Sequence, residues 1–409
     1  MDLQIRQLQQ DEWDAYAHTV QIGLSFQATE EELAEWKRMF EFDRSIAALD
    51  GSAIVGTGGA FSLDMTLPGG RTIPTGALTA ISVLPTHRRR GVLRSMIRRH
   101  FDDVLERGEP VSILNASESS IYGRFGYGPA AFRAELQIDR PHTAFARPVD
   151  VTGRVRLLDR SEALKVIPGV YERHRLAQPG ELSRPLTWWE EAINDPEYLR
   201  KDSAPRLWLA YESAPGELDG FADYRVKDNW QGGLAGNVIQ VRQLFALTPT
   251  ALAALARFLF DLDLAATIEL QRRPLDDPVR WLLADHRRLR TTATGDMLWL
   301  RILDLPATMA ARAYSSSDRI VLEVRDSMRP ENNRRWLLDA TPTAAECTPT
   351  GADPDLILDV ADLGTAYLGG VRLATLARSG RVLERTRGAG ARADRLLASD
   401  PLPWSTTGF

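Results

Sequence analysis

A strand, an arginine–glycine turn and a helix succeed one another over residues 77–107, and no other feature constrains the chain as strongly. Residues 77–84 form an apolar run that Pro85-Thr86 ends. Arg88, Arg89, Arg90 and Gly91 come next. Val92, Met96, Ile97, Phe101, Val104 and Leu105 then recur at the helical period, and Gly108 stops the helix. Residues 110–116 read as another buried strand, 118–124 as a short helix and 132–139 as a further strand. Upstream, a single helical pattern spans about 12–40, and strands at 45–50 and 53–67 flank the turn pair Asp50-Gly51. Alternation of this kind predicts an α/β domain over 1–145.

The next segment, 146–294, repeats that layout in a degraded form. Strands at 151–158, 206–211, 220–226 and 237–247 surround helices that carry Tyr171 and Trp188-Trp189. Its last strand passes to the helix at 249–261 through Thr248, a natural N-cap, and Pro249, which suits the first helical position. No arginine–glycine loop intervenes, so phosphate chemistry is expected in the first copy alone. From Gly295 to Phe409 the pattern changes to strands at 297–303, 319–324, 335–339 and 356–360, with helices at 306–314, 361–368, 371–377 and 391–398. This is an α+β third domain, 295–409. Residues 401–409 have no regular pattern.

Composition narrows the chemistry. The 409 residues exceed one ordinary core. Cys347 stands alone and the histidines (His18, His87, His100, His142, His174 and His286) lack ligand spacing, so neither a disulfide nor a metal site is expected. The net charge of −5 weighs against nucleic acid as a partner. No apolar run reaches membrane-spanning length, and the first ten residues lack a signal-peptide core. A cytoplasmic protein without membrane contact is the expectation.

Three arginines at a helix start oppose the helix dipole unless something anionic sits there. Exposed backbone N–H groups and a glycine make that end a phosphate site, although a solvated basic turn fits the same residues. Arg88-Arg89-Arg90-Gly91-Val92-Leu93 resembles the RxxGxx coenzyme A loop of GNAT acetyltransferases. The run 85–91, followed by Ala116-Ser117-Glu118 and by residues 121–129, is similar to the enhanced-intracellular-survival (Eis) acetyltransferases. The resemblance implies tandem GNAT-like domains, then a sterol-carrier-protein-like domain, in a homohexamer of paired trimers.

It also implies acetyl-coenzyme A as donor, with contacts from Ile81, Ser82 and Val83 on the strand, Arg88 to Arg94 at the loop and first helical turn, and Ser117 and Glu118. Within that group Arg89, Arg90, Gly91, Val92 and Leu93 correspond to the pyrophosphate cradle and the turn after it. Amine acetylation needs a proton for the departing thiolate and a base for the amine. The family places its general acid at Tyr122, with Tyr127 the nearby competitor. Its base is the terminal carboxylate, here that of Phe409, on a tail stiffened by Pro401, Pro403 and Trp404. Phe26 and Trp36 are expected as aromatic walls for an aminoglycoside or related small-molecule amine. A lysine side chain is the alternative acceptor, and an acyl-coenzyme A or lipid-binding module the non-catalytic one. Gly408 departs from the family's common penultimate glutamate, and no acidic residue stands in the 25–27 region, where Glu30, Glu31 and Glu32 are the nearest substitutes.

Overall fold

A computed structural model describes residues 3–150, 152–200 and 202–409. Strands β1 (Leu3–Arg6), β2 (Ile46–Asp50), β3 (Ala53–Thr66) and β4 (Thr72–Val83) form an antiparallel meander. Strand β5 (Val111–Leu114) pairs with β4 in parallel, a connection that needs a crossover. Helix α3 (Val92–Glu106) supplies it, after α1 (Trp13–Leu24) and α2 (Glu30–Met39) near the start of the chain. The apolar stripe read from the sequence is the buried face of α3: Val92, Met96, Ile97, Phe101 and Val104. Helix α4 (Ser119–Tyr122) then leads to β6 (Gly128–Asp139).

The second segment holds β7 (Arg154–Leu158), α5 (Arg160–Arg175), α6 (Leu186–Asn194), β8 (Leu207–Ala214) and β9 (Glu217–Lys227). A small hairpin, β10 (Trp230–Gln231) with β11 (Leu234–Ala235), precedes β12 (Asn237–Ala246). Helix α7 (Pro249–Phe260) carries the chain to β13 (Ala265–Arg273), which runs parallel to β12. Thr248 caps α7 by accepting the Ala251 N–H. The unit β12–α7–β13 thus repeats β4–α3–β5. Helix α8 (Val279–Leu282) and β14 (Arg290–Ile302) complete the segment.

One continuous twelve-stranded sheet joins both copies, in the order β1-β2-β3-β4-β5-β14-β6-β13-β12-β9-β8-β7. Strand β14 enters the first copy's sheet between β5 and β6, and β6 pairs with β13 of the second. The boundary expected at 294/295 therefore falls inside a single strand. Gly295 is an extended residue there, and the exposed, mostly polar first part of β14 (290–294) conceals the strand from apolar alternation.

A second correction concerns the expected single helix over about 12–40. The structure breaks it: Ser25 turns left-handed at φ 58°, and Thr29 starts α2. Thr29 and Glu32 form a reciprocal capping box that was readable as Thr-x-x-Glu.

The third segment begins with α9 (Leu305–Ala311). Strands β15 (Asp318–Arg325), β16 (Arg335–Ala340), β17 (Ala345–Pro349) and β18 (Leu356–Asp359) follow, then α10 (Val360–Tyr367), α11 (Leu373–Arg378), β19 (Leu383–Glu384) and α12 (Ala389–Leu397). Its sheet runs β17-β16-β15-β18-β19. Helix α10 lies against β6 so closely that only glycine fits at Gly128, where a Cβ would collide with the Ala361 carbonyl and Thr365. Buried side chains of the first and third segments share one apolar core, which includes Leu63, Ile113, Leu298, Leu300, Leu358 and Leu363. Burial on that scale fixes the third segment against the first. Among the described residues no helix is long and apolar enough to cross a membrane.

Candidate active site

The first half of the site comes from the separation of β4 and β5. They pair only from Thr75 opposite Val111 to Leu78 opposite Leu114, and residues 79–83 of β4 run on without that neighbour. A bulge marks the departure: Ala80 has φ 50° and the β3–β4 register shifts between Thr57 and Gly59. The Thr57 hydroxyl donates to the Ala80 carbonyl at 3.0 Å and accepts from Ser82 at 2.7 Å, which holds the bulge in place. Backbone groups of Ile81, Ser82 and Val83 are thereby left beside the opening.

The arginine loop closes one end of this opening. Arg88 does not face solvent freely: its guanidinium donates to the Val83 carbonyl at 3.2 Å and to the Gly23 carbonyl of α1 at 2.8 Å. It braces the loop. Arg89 adopts φ 63° and Gly91 φ 86°, so the backbone curls before α3. Gly91 is the N-cap of α3, no side chain caps the helix, and the space beside Gly91 is open. Free first-turn N–H groups, partial positive charge and a cradle without a Cβ are what a pyrophosphate needs.

Together these elements enclose a cleft of about 540 Å³. Ile81, Ser82, Val83, Arg88, Arg89, Gly91, Val92, Leu93, Arg94, Ser117, Glu118 and Tyr122 all line it. Arg90 is the exception among the expected contacts, being exposed but outside the lining. Gly23, Leu24 and Phe125 also line it; Gly23 and Leu24 come from α1, far from the loop in sequence, and no local signal marks them.

The two tyrosines are separated by their hydrogen bonds. Tyr122 ends α4 and lines the cleft; burial first, and the charge of Glu118 less, push its pKa up, while the nearby Ser117 side chain works the other way. Its phenol therefore stays protonated at neutral pH. Tyr127 is fully buried and lies 2.7 Å from the Ser112 hydroxyl. Ser112 gives its own proton to the Gly76 carbonyl, so Tyr127 and His100, also at 2.7 Å, must both donate to it. The Tyr127 proton is committed to the core. Only Tyr122 can reach the cleft.

The second half of the site is built by the last residues. Trp404, Ser405, Thr406 and Thr407 are buried against the second segment. Glu181, itself buried, accepts the Thr406 N–H at 3.0 Å and the Thr406 hydroxyl at 2.8 Å. Arg184 donates to Thr406 and Thr407 at 2.6 and 2.9 Å, and Arg272 donates to the Thr406 carbonyl at 3.0 Å. Trp404 donates its indole N–H to the Arg272 carbonyl at 2.7 Å. Phe409 is tied by its N–H to Asn115 Oδ1 at 3.1 Å, and Asn115 donates to the Met297 carbonyl of β14.

Thr406, Thr407, Gly408 and Phe409 form one wall of a second cleft, about 310 Å³. Trp36, Phe61 and Trp188 supply aromatic surface, and Arg184, Arg242, Arg272 and Glu191 supply charge. An annex of about 320 Å³ continues from it past Trp36 and Glu191 to Phe26. Trp36 thus lines both spaces and Phe26 only the annex. Of the acidic trio, Glu32 borders the annex while its carboxylate caps α2; Glu30 and Glu31 line neither space.

Models of an acetyltransferase (GNAT) domain match residues 4–130 and 180–302, and a sterol carrier protein domain matches 305–406. The N-acetyltransferase Eis of Mycobacterium tuberculosis is 36% identical over 381 residues, 90% of each chain. The chain belongs to the Eis family of GNAT N-acetyltransferases. It is an acetyltransferase built of two GNAT domains and a sterol-carrier-protein-like domain. The crystal structure of Eis1 from Mycobacterium abscessus superposes with a TM-score of 0.88 at 33% identity, covering 99% of this chain and 100% of that one. An uncharacterized N-acetyltransferase of Streptomyces avermitilis is 39% identical over 412 residues, the full length of both. A GCN5-related N-acetyltransferase from Anabaena variabilis shares the fold at TM-score 0.86 and 16% identity.

Within this Eis-family site, Asn115, Glu181, Glu191 and Arg242 were not singled out by sequence reasoning. They come from a strand end, a loop, α6 and β12, and only the fold gathers them.

Proposed function

We propose that this acetyltransferase moves acetyl directly from acetyl-coenzyme A to an amine, with Tyr122 as general acid and the Phe409 carboxylate as general base. The observation that carries this reading is the arrangement around the end of β5. Asn115 holds Phe409, and Ser117, two residues on, lines the same cleft as Tyr122. One short segment, residues 115–117, thus reaches both the tail and the cleft that Tyr122 lines.

The residues present fit the donor. The open cradle at Gly91 and the uncapped start of α3 suit its pyrophosphate, and the bulged β4 offers backbone groups to its pantetheine arm. Acetyl-coenzyme A supplies a thioester, an acyl group already activated for transfer. Phe409 accepts a proton from the amine as the N–C bond forms. Tyr122 donates its phenolic proton to the sulfur as the C–S bond breaks, and the proton taken up by Phe409 keeps the balance at one amide and one thiol. A phenol with a raised pKa holds its proton until the thiolate develops.

Small-molecule amines are the acceptors that a cleft of about 310 Å³ suits best. Aminoglycosides and related polyamines are what the family resemblance implies, yet Arg184, Arg242 and Arg272 would repel a polycation here. The test is acetyl-coenzyme A-dependent thiol release across a panel of amines, aminoglycosides and lysine peptides, with products read by mass spectrometry. An acetylated amine is the expected product. Thiol release without any acetylated acceptor would overturn the reading.

A further inference from the structure

The charges of the acceptor cleft are not evenly engaged. Arg184 is spent on Thr406, Thr407 and Gln243, and stacks on Tyr171 with its guanidinium 4.0 Å from the ring centre. Arg272 serves the Thr406 carbonyl. Arg242, half-buried on β12, lines the cleft and makes no hydrogen bond or ion pair among the described residues. Two carboxylates act on it by charge without an ion pair: Asp223, whose Oδ2 meets the Gln243 amide at 2.8 Å and Arg206 at 3.7 Å while its Oδ1 has no hydrogen bond, and Glu191.

An unpaired guanidinium drawn out of water is costly, and proteins keep one where a ligand compensates it. Burial pushes Arg242 down to about 10, helped by the charges of Arg206 and Arg272, so it remains a cation at neutral pH. Across the same cleft Glu191 is half-buried, with the Tyr198 hydroxyl 3.4 Å away, and Phe409 lies on the tail. The cleft therefore holds a negative and a positive group between aromatic walls, close enough for the charge of Arg242 to favour the ionised form of Glu191. A polycation would satisfy the first and collide with the second. A molecule carrying both signs satisfies both.

We propose that the acceptor is an amine that also bears an anionic group, a carboxylate or a phosphate, which docks on Arg242 while the amine faces Phe409. This rests on the acetyl-transfer reading above and names its substrate class. Guanidinium suits either anion, since both accept two parallel N–H bonds.

The experiment compares matched amines with acetyl-coenzyme A and the full-length protein: tyramine against tyrosine and histamine against histidine for the carboxylate, glucosamine against glucosamine 6-phosphate for the phosphate. Thiol release should favour the anionic member of at least one pair by about tenfold or more in kcat/KM. In Arg242→Gln that ratio should fall towards one, and Arg242→Lys should restore part of it. Calorimetric binding of the same pairs, without turnover, separates the two proposals. If the anionic members bind better through Arg242 but nothing is acetylated, acetyl transfer to these amines fails and the anion subsite stands. If neutral or polycationic amines equal or exceed the anionic members in both rate and binding, or if Arg242→Gln weakens both members of each pair equally in a folded protein, the anion subsite is overturned.

Discussion

The N–H of Phe409 donates to the side-chain oxygen of Asn115 at 3.1 Å, across 294 residues of sequence. That single bond fastens the end of the chain to the end of β5. Burial of the tail itself has other causes. Trp404 and Thr406 are fixed by Pro179, Glu181 and Arg272 before Phe409 reaches the cleft.

Displacing the terminal carboxylate should cut turnover sharply without unfolding the protein. Deletion of Phe409, and addition of one glycine after it, should each lower kcat by about 100-fold or more, as loss of a positioned base does. Melting temperature checks the fold. Asn115→Ala should lower kcat less, with a shifted pH–rate profile, because it positions the base without supplying it.

Tyr122 and Tyr127 should behave oppositely. Tyr122→Phe is expected to reduce kcat by about 10²–10⁴-fold with little change in acetyl-coenzyme A binding. Tyr127→Phe removes a donor to buried Ser112 and should cost about 1–3 kcal/mol of stability, with kcat of the folded enzyme retained. Thiol-release kinetics and denaturant titration of both variants decide it. The opposite pattern would reassign the acid.

Gly91→Ala should impair donor binding in particular. Nothing stands near the added Cβ, so the damage comes from the left-handed φ of 86° and from methyl bulk in the phosphate cradle. A stability loss of about 1 kcal/mol is expected from the backbone alone. The KM for acetyl-coenzyme A should rise while KM for the amine stays near its original value.

Acid should destabilise the fold through His100. Burial first, and the charge of Arg44 second, push its pKa down to about 3 from 6.5. The folded state then binds fewer protons than the unfolded state between those values. Stability attributable to His100 is complete above about pH 6.5 and declines as pH falls towards 3, by up to about 1.4 kcal/mol per pH unit. Urea unfolding at pH 7 and pH 5 measures the slope, and His100→Gln should reduce it by one proton. His174, also pushed down to about 3, should sustain the remainder.

Much of the lining of the first cleft was named from the sequence, in good part through the family resemblance, because it is local. The residues 81–94 and 117–122 form two short runs, and helix period, glycine placement and arginine spacing are properties of neighbouring residues. Even there, the sequence could not show that Arg88 is a brace bound to Gly23, or that Arg90 stands outside the cleft. The first outcome depends on where α1 packs.

The acceptor site was legible only in part. Trp36 and Phe409 were expected, whereas the charged lining residues Arg184, Glu191, Arg242 and Arg272 come from a loop, a helix and two strands with ordinary patterns. Strand β14 was half hidden for a related reason, since residues 290–294 are exposed and mostly polar and owe their extended form to β6 alongside.

Sequence by itself therefore determined the repeated α/β layout and the arginine–glycine turn before a helix, because period and spacing act over a few residues, while the choice of Tyr122 as candidate acid came from the family resemblance. Tertiary structure decided which tyrosine proton is free, what the tail touches and what sign of charge the acceptor meets. Those depend on hydrogen bonds and unpaired charges between segments tens to hundreds of residues apart, and no local pattern encodes such partners.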